Sequence, residues 1–461
     1  MQHLLSCATA AAGLWLRTIP TVGSDTFVGA YLTAFRSFFS SCKAISDGYR
    51  KYRGTAFKVP SIETPSGWMV IVSGPQMIEE LRNASPSSLD GLEFLKDFGQ
   101  VHYTFGKYNK YGHSGPYHTN VIRTGFTRAL FARYGDICDE LENALDISIP
   151  VTKGRDPEFQ ELQRQYTMNV LIAAGIVHMF PTALKPVAGW AVSGVPRAMK
   201  QLHEYLGPMI EERLQRDEEF GGKWEGRPND MISWLLDQAN AEQRTAEDIE
   251  YRVMSITFAA VVTTSTLASR QEYLEPLRQE VEAVVSEYGW SKESLSHMSK
   301  LDSFMKETAR YWEPASVGIA RKAMKDFTFS NGVHIPKGVS VVAASHGIHH
   351  DPDIYENPDN FDGFRFSDIR ETGTEEMDWC RHRFSSPNPN YLIFDYGKQS
   401  CPGRFVAATQ IKTALAHILV KYDLRLPVGQ DDPSQLSTWL GVHHFVKSGT
   451  RMEFRERQAT V

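Results

Sequence analysis

At 461 residues the chain exceeds the usual single-domain size, so two domains are the starting expectation, although a large helical enzyme can pack as one unit. With 42% hydrophobic and 11% aromatic residues it has the composition of a globular protein with a sizeable core, and a net charge of −6 gives no support for nucleic-acid binding. Its five cysteines (Cys7, Cys42, Cys138, Cys380 and Cys401) are odd in number and lack zinc-type spacing, which argues against a disulfide framework and for a reducing compartment.

The first element is an apolar run from Leu4 to Leu16, broken by Ser6 and Gly13 and ended by Arg17. As a helix it rises only ~20 Å against a hydrocarbon core of ~30 Å, too short to span a bilayer. Residues 24–53 predict one helix, with Tyr31, Phe35, Phe38, Phe39 and Ile45 on one side. Ala56–Pro60 and Trp68–Val72 predict a hairpin across a turn cluster from Pro60 to Gly67. Ser73-Gly74-Pro75 then opens a helix over Gln76–Asn83. Residues 84–118, rich in Gly, Tyr and Ser, read as a loop lining a cavity. A helical stretch follows from His118 through Arg123 to Phe131. Two amphipathic helices between Phe159 and Leu214 flank an apolar middle over residues 172–195. Asp217 to Asp230 is a charged surface linker, and the next helix carries Met231, Trp234 and Leu235 on its apolar side.

Three stretches downstream carry chemistry. Tyr251 to Ala268 predicts a strongly apolar helix containing Phe258-Ala259-Ala260-Val261-Val262-Thr263-Thr264. Leu301 to Arg310 holds Glu307-x-x-Arg310, a spacing that puts carboxylate and guanidinium on one helix face. Beyond it, Phe327-Thr328-Phe329 and Val333-His334-Ile335 flank an Asn331-Gly332 hairpin turn, and residues 338–344 read as a strand. His349-His350-Asp351-Pro352 reads as extended chain whose adjacent histidines face opposite ways, hence as no metal site. The third stretch, Phe394-Asp395-Tyr396-Gly397-Lys398-Gln399-Ser400-Cys401-Pro402-Gly403, reads F-x-x-G-x-x-x-C-x-G and runs into a helix over residues 406–417. Gly397 and Gly403 permit tight turns and the near approach of a flat ligand. The helix N-terminus favours a thiolate at Cys401, ready for a metal. The alternative is a buried structural cysteine in a strand-to-helix turn.

These motifs, in this order, resemble the cytochrome P450 family over roughly residues 18–456. The resemblance implies a mostly α fold with smaller β-sheets, a helical bundle around a buried haem b (iron protoporphyrin IX) with Cys401 as its axial thiolate. It implies that Phe394, Gly397 and Gly403 shape the haem loop and that Arg321 meets a propionate. Arg123, with His118 as the weaker choice, stands in for an absent Trp-x-x-x-Arg pattern, and Lys398 compensates for Gln399 where relatives carry a basic residue. Ala260 would leave room for O2 and Thr263 would relay protons, with Val262 in place of the usual acid. Arg365 would join Glu307 and Arg310 in a buried, structural charge network.

The activity implied is a monooxygenase inserting one oxygen atom of O2 into a small lipophilic substrate. The wording of residues 19–23 and 57–60 looks like fungal secondary-metabolism members, which suggests a terpenoid. Electrons would come from NADPH through a separate NADPH-cytochrome P450 reductase, since the chain holds no Gly-rich dinucleotide motif in a βαβ setting. Lys398 and Arg404 would offer that partner a basic patch. Residues 1–17 read as a clipped membrane anchor ahead of a P450 domain over 18–461. The implied place is the cytosolic face of the endoplasmic reticulum with peripheral membrane contact, or the cytoplasm if the anchor is lost.

Two shortfalls against the family stand out: a helix expected between residues 154 and 155, and about two helical turns after Thr264. They motivate one rival, an inactive haem-free product of a shortened gene. The other rival is a non-oxygenating haem-thiolate isomerase or dehydratase, against which Thr263 argues.

Overall fold

The computed structural model describes residues 16–38, 40–113, 117–132, 134–136, 138–139, 157–222, 224–228, 230–257, 270–372, 381–426, 437–446 and 453–457. The chain divides into two compact units, one of residues 1–95, 262–404 and 408–461, the other of residues 96–261 and 405–407. Ala260, Thr263 and both expected shortfalls lie outside the described residues.

The principal elements, in chain order, begin with α1 (Phe27–Ser37), α2 (Ser41–Lys51), β1 (Ala56–Pro60), β2 (Trp68–Val72), α3 (Pro75–Asn83) and β3 (Leu89–Asp90). The second unit holds α4 (Pro157–His178), α5 (Lys185–Val192), α6 (Val195–Phe220), α7 (Met231–Gln238) and α8 (Ala246–Thr257). The first unit resumes with α9 (Leu274–Tyr288), α10 (Ser299–Tyr311), β4 (Gly318–Ala323), β5 (Phe327–Thr328), β6 (His334–Ile335), β7 (Ser340–Ala343) and α11 (Ser345–His349). It ends with α12 (Arg365–Thr372), α13 (Arg404–Lys421), β8 (Tyr422–Arg425), β9 (Ser437–Leu440), β10 (His443–Val446) and β11 (Glu453–Glu456). The protein is mostly α with small sheets, as the sequence implied.

The first unit is organised by a five-stranded sheet of order β1-β2-β7-β4-β3. β1 and β2 form the predicted hairpin, Ala56 opposite Val72, and β7 lies parallel to β2 with Met69 opposite Ser340. Val70, Ile71, Val72, Val341 and Val342 are all fully buried, which is why β2 and β7 read as unbroken apolar runs without alternation. β5 and β6 close on the Asn331-Gly332 turn, with Gly332 at φ 87°. Pro75 opens α3 at a position where its missing N–H is harmless.

The second unit packs α6, α7 and α8 around Met199, Leu202, Leu206, Ile210, Leu235, Leu236, Ile249, Val253 and Met254. These recur at helical spacing, and the buried stripe is what makes the long polar α6 stable. Asp230 caps α7 by accepting from the Ser233 N–H at 3.0 Å.

Three expectations are corrected. Residues 24–53 form two helices, because the chain breaks after Ser37 and restarts at Ser41. Residues 84–118 are largely helical, led by Gly91–Phe98, whose first turn is capped by Asp90 accepting from Leu92 and Glu93 at 2.7 and 3.1 Å. Residues 345–349 are helix, not extended chain, with Gly347 packed so closely on Tyr49 that a Cβ would lie 2.4 Å from its ring.

Candidate active site

The cysteine loop is built from its own backbone. The Cys401 N–H donates to the Phe394 carbonyl at 2.8 Å and the Ser400 N–H to Gly397 at 3.1 Å, closing the turn that α13 continues. Two features let the chain turn so sharply. Asp395 takes φ 60°, a left-handed conformation that an aspartate tolerates, and Gly397 takes φ 95°. The face of Gly397 without a Cβ is used against α3, not against a ligand. A Cβ there would sit 2.6 Å from the Arg82 carbonyl oxygen. Gly403 has φ −90° and caps α13. Phe394 meets Phe384 edge to face, the ring centroids 5.1 Å apart.

The backbone N–H groups of Gly403 and Arg404 donate toward the Cys401 sulfur. Burial nonetheless dominates and pushes the thiol above its ordinary range. A metal is what would take that proton off.

Arg321, on β4, is almost wholly buried and donates to Asp395 at 2.6 and 2.9 Å, which ties the sheet to the cysteine loop. Its Nε is buried without a partner among the described residues. Gln399 donates to the Leu89 carbonyl at 2.9 Å and accepts from the Gly91 N–H at 2.8 Å. It is therefore fastened to β3 and to the start of the following helix. Lys398 is exposed, its ammonium 3.5 Å from the Asn83 carbonyl at the end of α3. Residue types alone gave no sign of the Asp395–Arg321 pair; the acid inside the loop, with a buried arginine expected nearby, was the available signal.

Glu307, Arg310 and Arg365 are brought together. Arg310 donates to both oxygens of Glu307 at 2.7 and 2.8 Å, and both residues are fully buried. Arg310 also donates to the carbonyls of His349 at 2.6 Å and Pro358 at 2.9 Å. Arg365 reaches the same carboxylate at 3.3 Å, joined by the Asp362 N–H at 3.0 Å. Both carboxylate oxygens of Glu307 accept hydrogen bonds, the condition under which a buried ion pair is tolerated.

In the second unit, Arg123 lies exposed in a π-helical turn over Ile122–Phe126. His118 accepts from Arg252 at 3.1 Å, and burial, helped by that arginine, pushes its pKa down to about 4. A neutral imidazole so committed is a poor anion ligand.

The residues of the loop fit a haem thiolate: a sulfur beneath two N–H donors, beside a sheet whose buried arginine keeps one donor unmatched. The fold agrees. A solved structure titled "Crystal structure of cytochrome P450DA heme domain" superposes with a TM-score of 0.66 at 17% identity, covering 95% of this chain and 98% of that one. The sequence profile described as Cytochrome P450 matches residues 144–449. Cytochrome P450 monooxygenase 151 of Postia placenta is 32% identical, with 96% of this chain and 94% of that protein covered. Cytochrome P450 monooxygenase 71 of the same fungus is 30% identical over 486 aligned positions, with coverages of 97% and 94%. That span exceeds the 461 residues of this chain, so the relative carries residues that this chain lacks. The chain belongs to the cytochrome P450 family. It is an oxidoreductase of the monooxygenase kind.

Proposed function

We propose that the chain is a haem-thiolate monooxygenase of a small lipophilic molecule, with Cys401 as the axial ligand of haem b. The observation that carries the assignment is the pair of N–H groups, from Gly403 and Arg404, aimed at the one cysteine in a glycine-bounded turn. When bound, the haem supplies reductive activation of O2. The chain's own residues do the rest. Gly403 and Arg404 hold charge on the sulfur by hydrogen bonding, and Gly397 keeps the turn seated on α3. Arg321 offers its unmatched Nε to a propionate, with Arg123 and Lys398 as further basic candidates. Thr263 would pass a proton from its hydroxyl and small Ala260 would leave room for O2; with Val262 preceding Thr263, the relay would need water or another side chain. Glu307, Arg310 and Arg365 brace the core beneath the loop without touching substrate.

Electrons come, in this reading, from NADPH through a separate flavoprotein reductase, for which exposed Lys398 offers one docking charge. A terpenoid-like substrate fits a fungal secondary-metabolism role, which the similarity to fungal P450 monooxygenases supports. The place of work is the cytosolic face of the endoplasmic reticulum, residues 1–17 serving as residual anchor to a P450 domain over 18–461. No described helix is long and apolar enough to cross a membrane. Surface contact is supported by Leu184, Val187 and Trp190 on and beside α5, with Val187 and Trp190 exposed by 65% and 85%.

The test is carbon monoxide added to the reduced holoprotein. The parent gives the strongly red-shifted Soret band of a thiolate-bound haem, and Cys401→Ser loses it. A variant that keeps the band overturns the assignment. NADPH and O2 consumption with added reductase then separates a monooxygenase from an isomerase, which consumes neither.

A further inference from the structure

Glu313, two residues past α10, is fully buried, and three histidines converge on it from the segment 346–350. His346 and His350 stand at i and i+4, so they share a face. His346 Nδ1 is in contact with Glu313 Oε1. His350 Nε2 lies 3.9 Å from Oε2, and His349 Nδ1 lies 3.7 Å from it.

The hydrogen bonds around the cluster fix the tautomers: His346 Nδ1 donates to Glu313 Oε1, a proton that an incoming zinc ion would displace. The Leu392 N–H donates to His349 Nε2 at 3.2 Å, so the proton of that ring sits on Nδ1 and points at the carboxylate. His350 Nδ1 meets the Asp359 carboxylate at 2.9 Å; a carboxylate only accepts, so Nδ1 donates. The lone pair of His350 is therefore on Nε2. That atom and Glu313 Oε2 are both buried without a hydrogen-bond partner among the described residues, two acceptors 3.9 Å apart.

We propose that Glu313, His346 and His350 form a zinc site, separate from the cysteine loop, with His349 and Asp359 orienting the ligands. One ligand atom from each of the three lies within 4.8 Å of the others. Tetrahedral ligands about 2.0–2.1 Å from zinc stand about 3.3 Å apart, so the widest pair, within 4.8 Å, closes by up to about 1.5 Å through side-chain rotation. Two imidazoles and a carboxylate select zinc over calcium or magnesium, which prefer all-oxygen shells. Asp359, bonded to His350 Nδ1, is the outer partner such sites carry, and the His349 N–H stands 3.7 Å from Glu313 Oε2. His346 and His350 are 22% and 16% exposed, which gives an ion access from solvent. Three protein ligands leave a fourth position for water; Cys42, whose side chain interacts with His346, stands close by.

The test is zinc titration by calorimetry of the haem-loaded, tag-free full chain after chelator treatment. One zinc ion should bind at micromolar affinity or tighter. Each of His346→Ala and His350→Ala should weaken binding at least about tenfold, while His334→Ala, in the β5–β6 hairpin, leaves it unchanged. Zinc-edge X-ray absorption of the parent, independent of how the variants fold, should give nitrogen and oxygen at about 2.0–2.1 Å with two imidazoles. A parent that takes up no zinc, a spectrum without imidazole, or variants that bind like the parent would each overturn the site and leave a shared proton as what balances Glu313.

Discussion

Glu63 is buried against the β9–β10 turn, where its carboxyl accepts from the Val442 N–H at 3.4 Å, and Gly441 is placed where a Cβ would overlap its carboxyl. Burial pushes its pKa up to about 7. Between about pH 4.5 and 7 the folded chain keeps a proton that the unfolded chain has lost. Stability should therefore fall by about 3 kcal/mol as pH rises through that window and stay level above it. Glu63→Gln removes the titration, so urea unfolding at pH 5 and pH 7.5 should show a slope in the parent and almost none in the variant. Equal slopes would refute the assignment. Nothing local in the sequence announces this residue, because its burial comes from contact with position 442 far along the chain. Cys401 is the opposite case: its glycines, its proline and the helix after it are neighbours in sequence, and short-range chemistry is what a sequence displays.

The elements around Cys401 are set by fixed charges and by one close approach. Arg310→Ala leaves Glu307 charged and buried beside a half-matched Arg365, a loss of about 3–5 kcal/mol by denaturant unfolding. Arg365→Ala, whose partner keeps Arg310, should cost clearly less; the reverse order would show that the pair is not the anchor. Gly397→Ala meets both a left-handed φ and the Arg82 backbone, so it should cost at least about 1–2 kcal/mol and lower haem content. Unchanged melting and haem content would sink that reading. Glu307 and Arg310 are legible because three residues along a helix is a spacing the eye can follow. Arg365 came only through resemblance, and the Arg321–Asp395 clasp between β4 and the loop did not come at all, since a buried pair that far apart leaves no periodicity. The α11 helix was missed because five residues are too few for a pattern, and its shape is imposed by Tyr49 packing on Gly347.

At the scale of the whole molecule, the family could be read from three motifs in order, while the division into two compact units could not, because the boundaries at 95 and 261 carry no linker composition. The exposed apolar side chains of the second unit make a further prediction. Val187→Glu with Trp190→Glu should weaken sedimentation with anionic phospholipid vesicles severalfold and leave the carbon monoxide spectrum intact. Equal sedimentation of parent and variant would remove the membrane from the account.

The parallel seam of β2 on β7 joins residue 69 to residue 340. A ribosome releases the β1–β2 hairpin long before it makes β7, so through most of synthesis one edge of an apolar strand waits unpaired. Production in a heterologous host should thus be governed less by the finished fold than by chaperone supply during that wait.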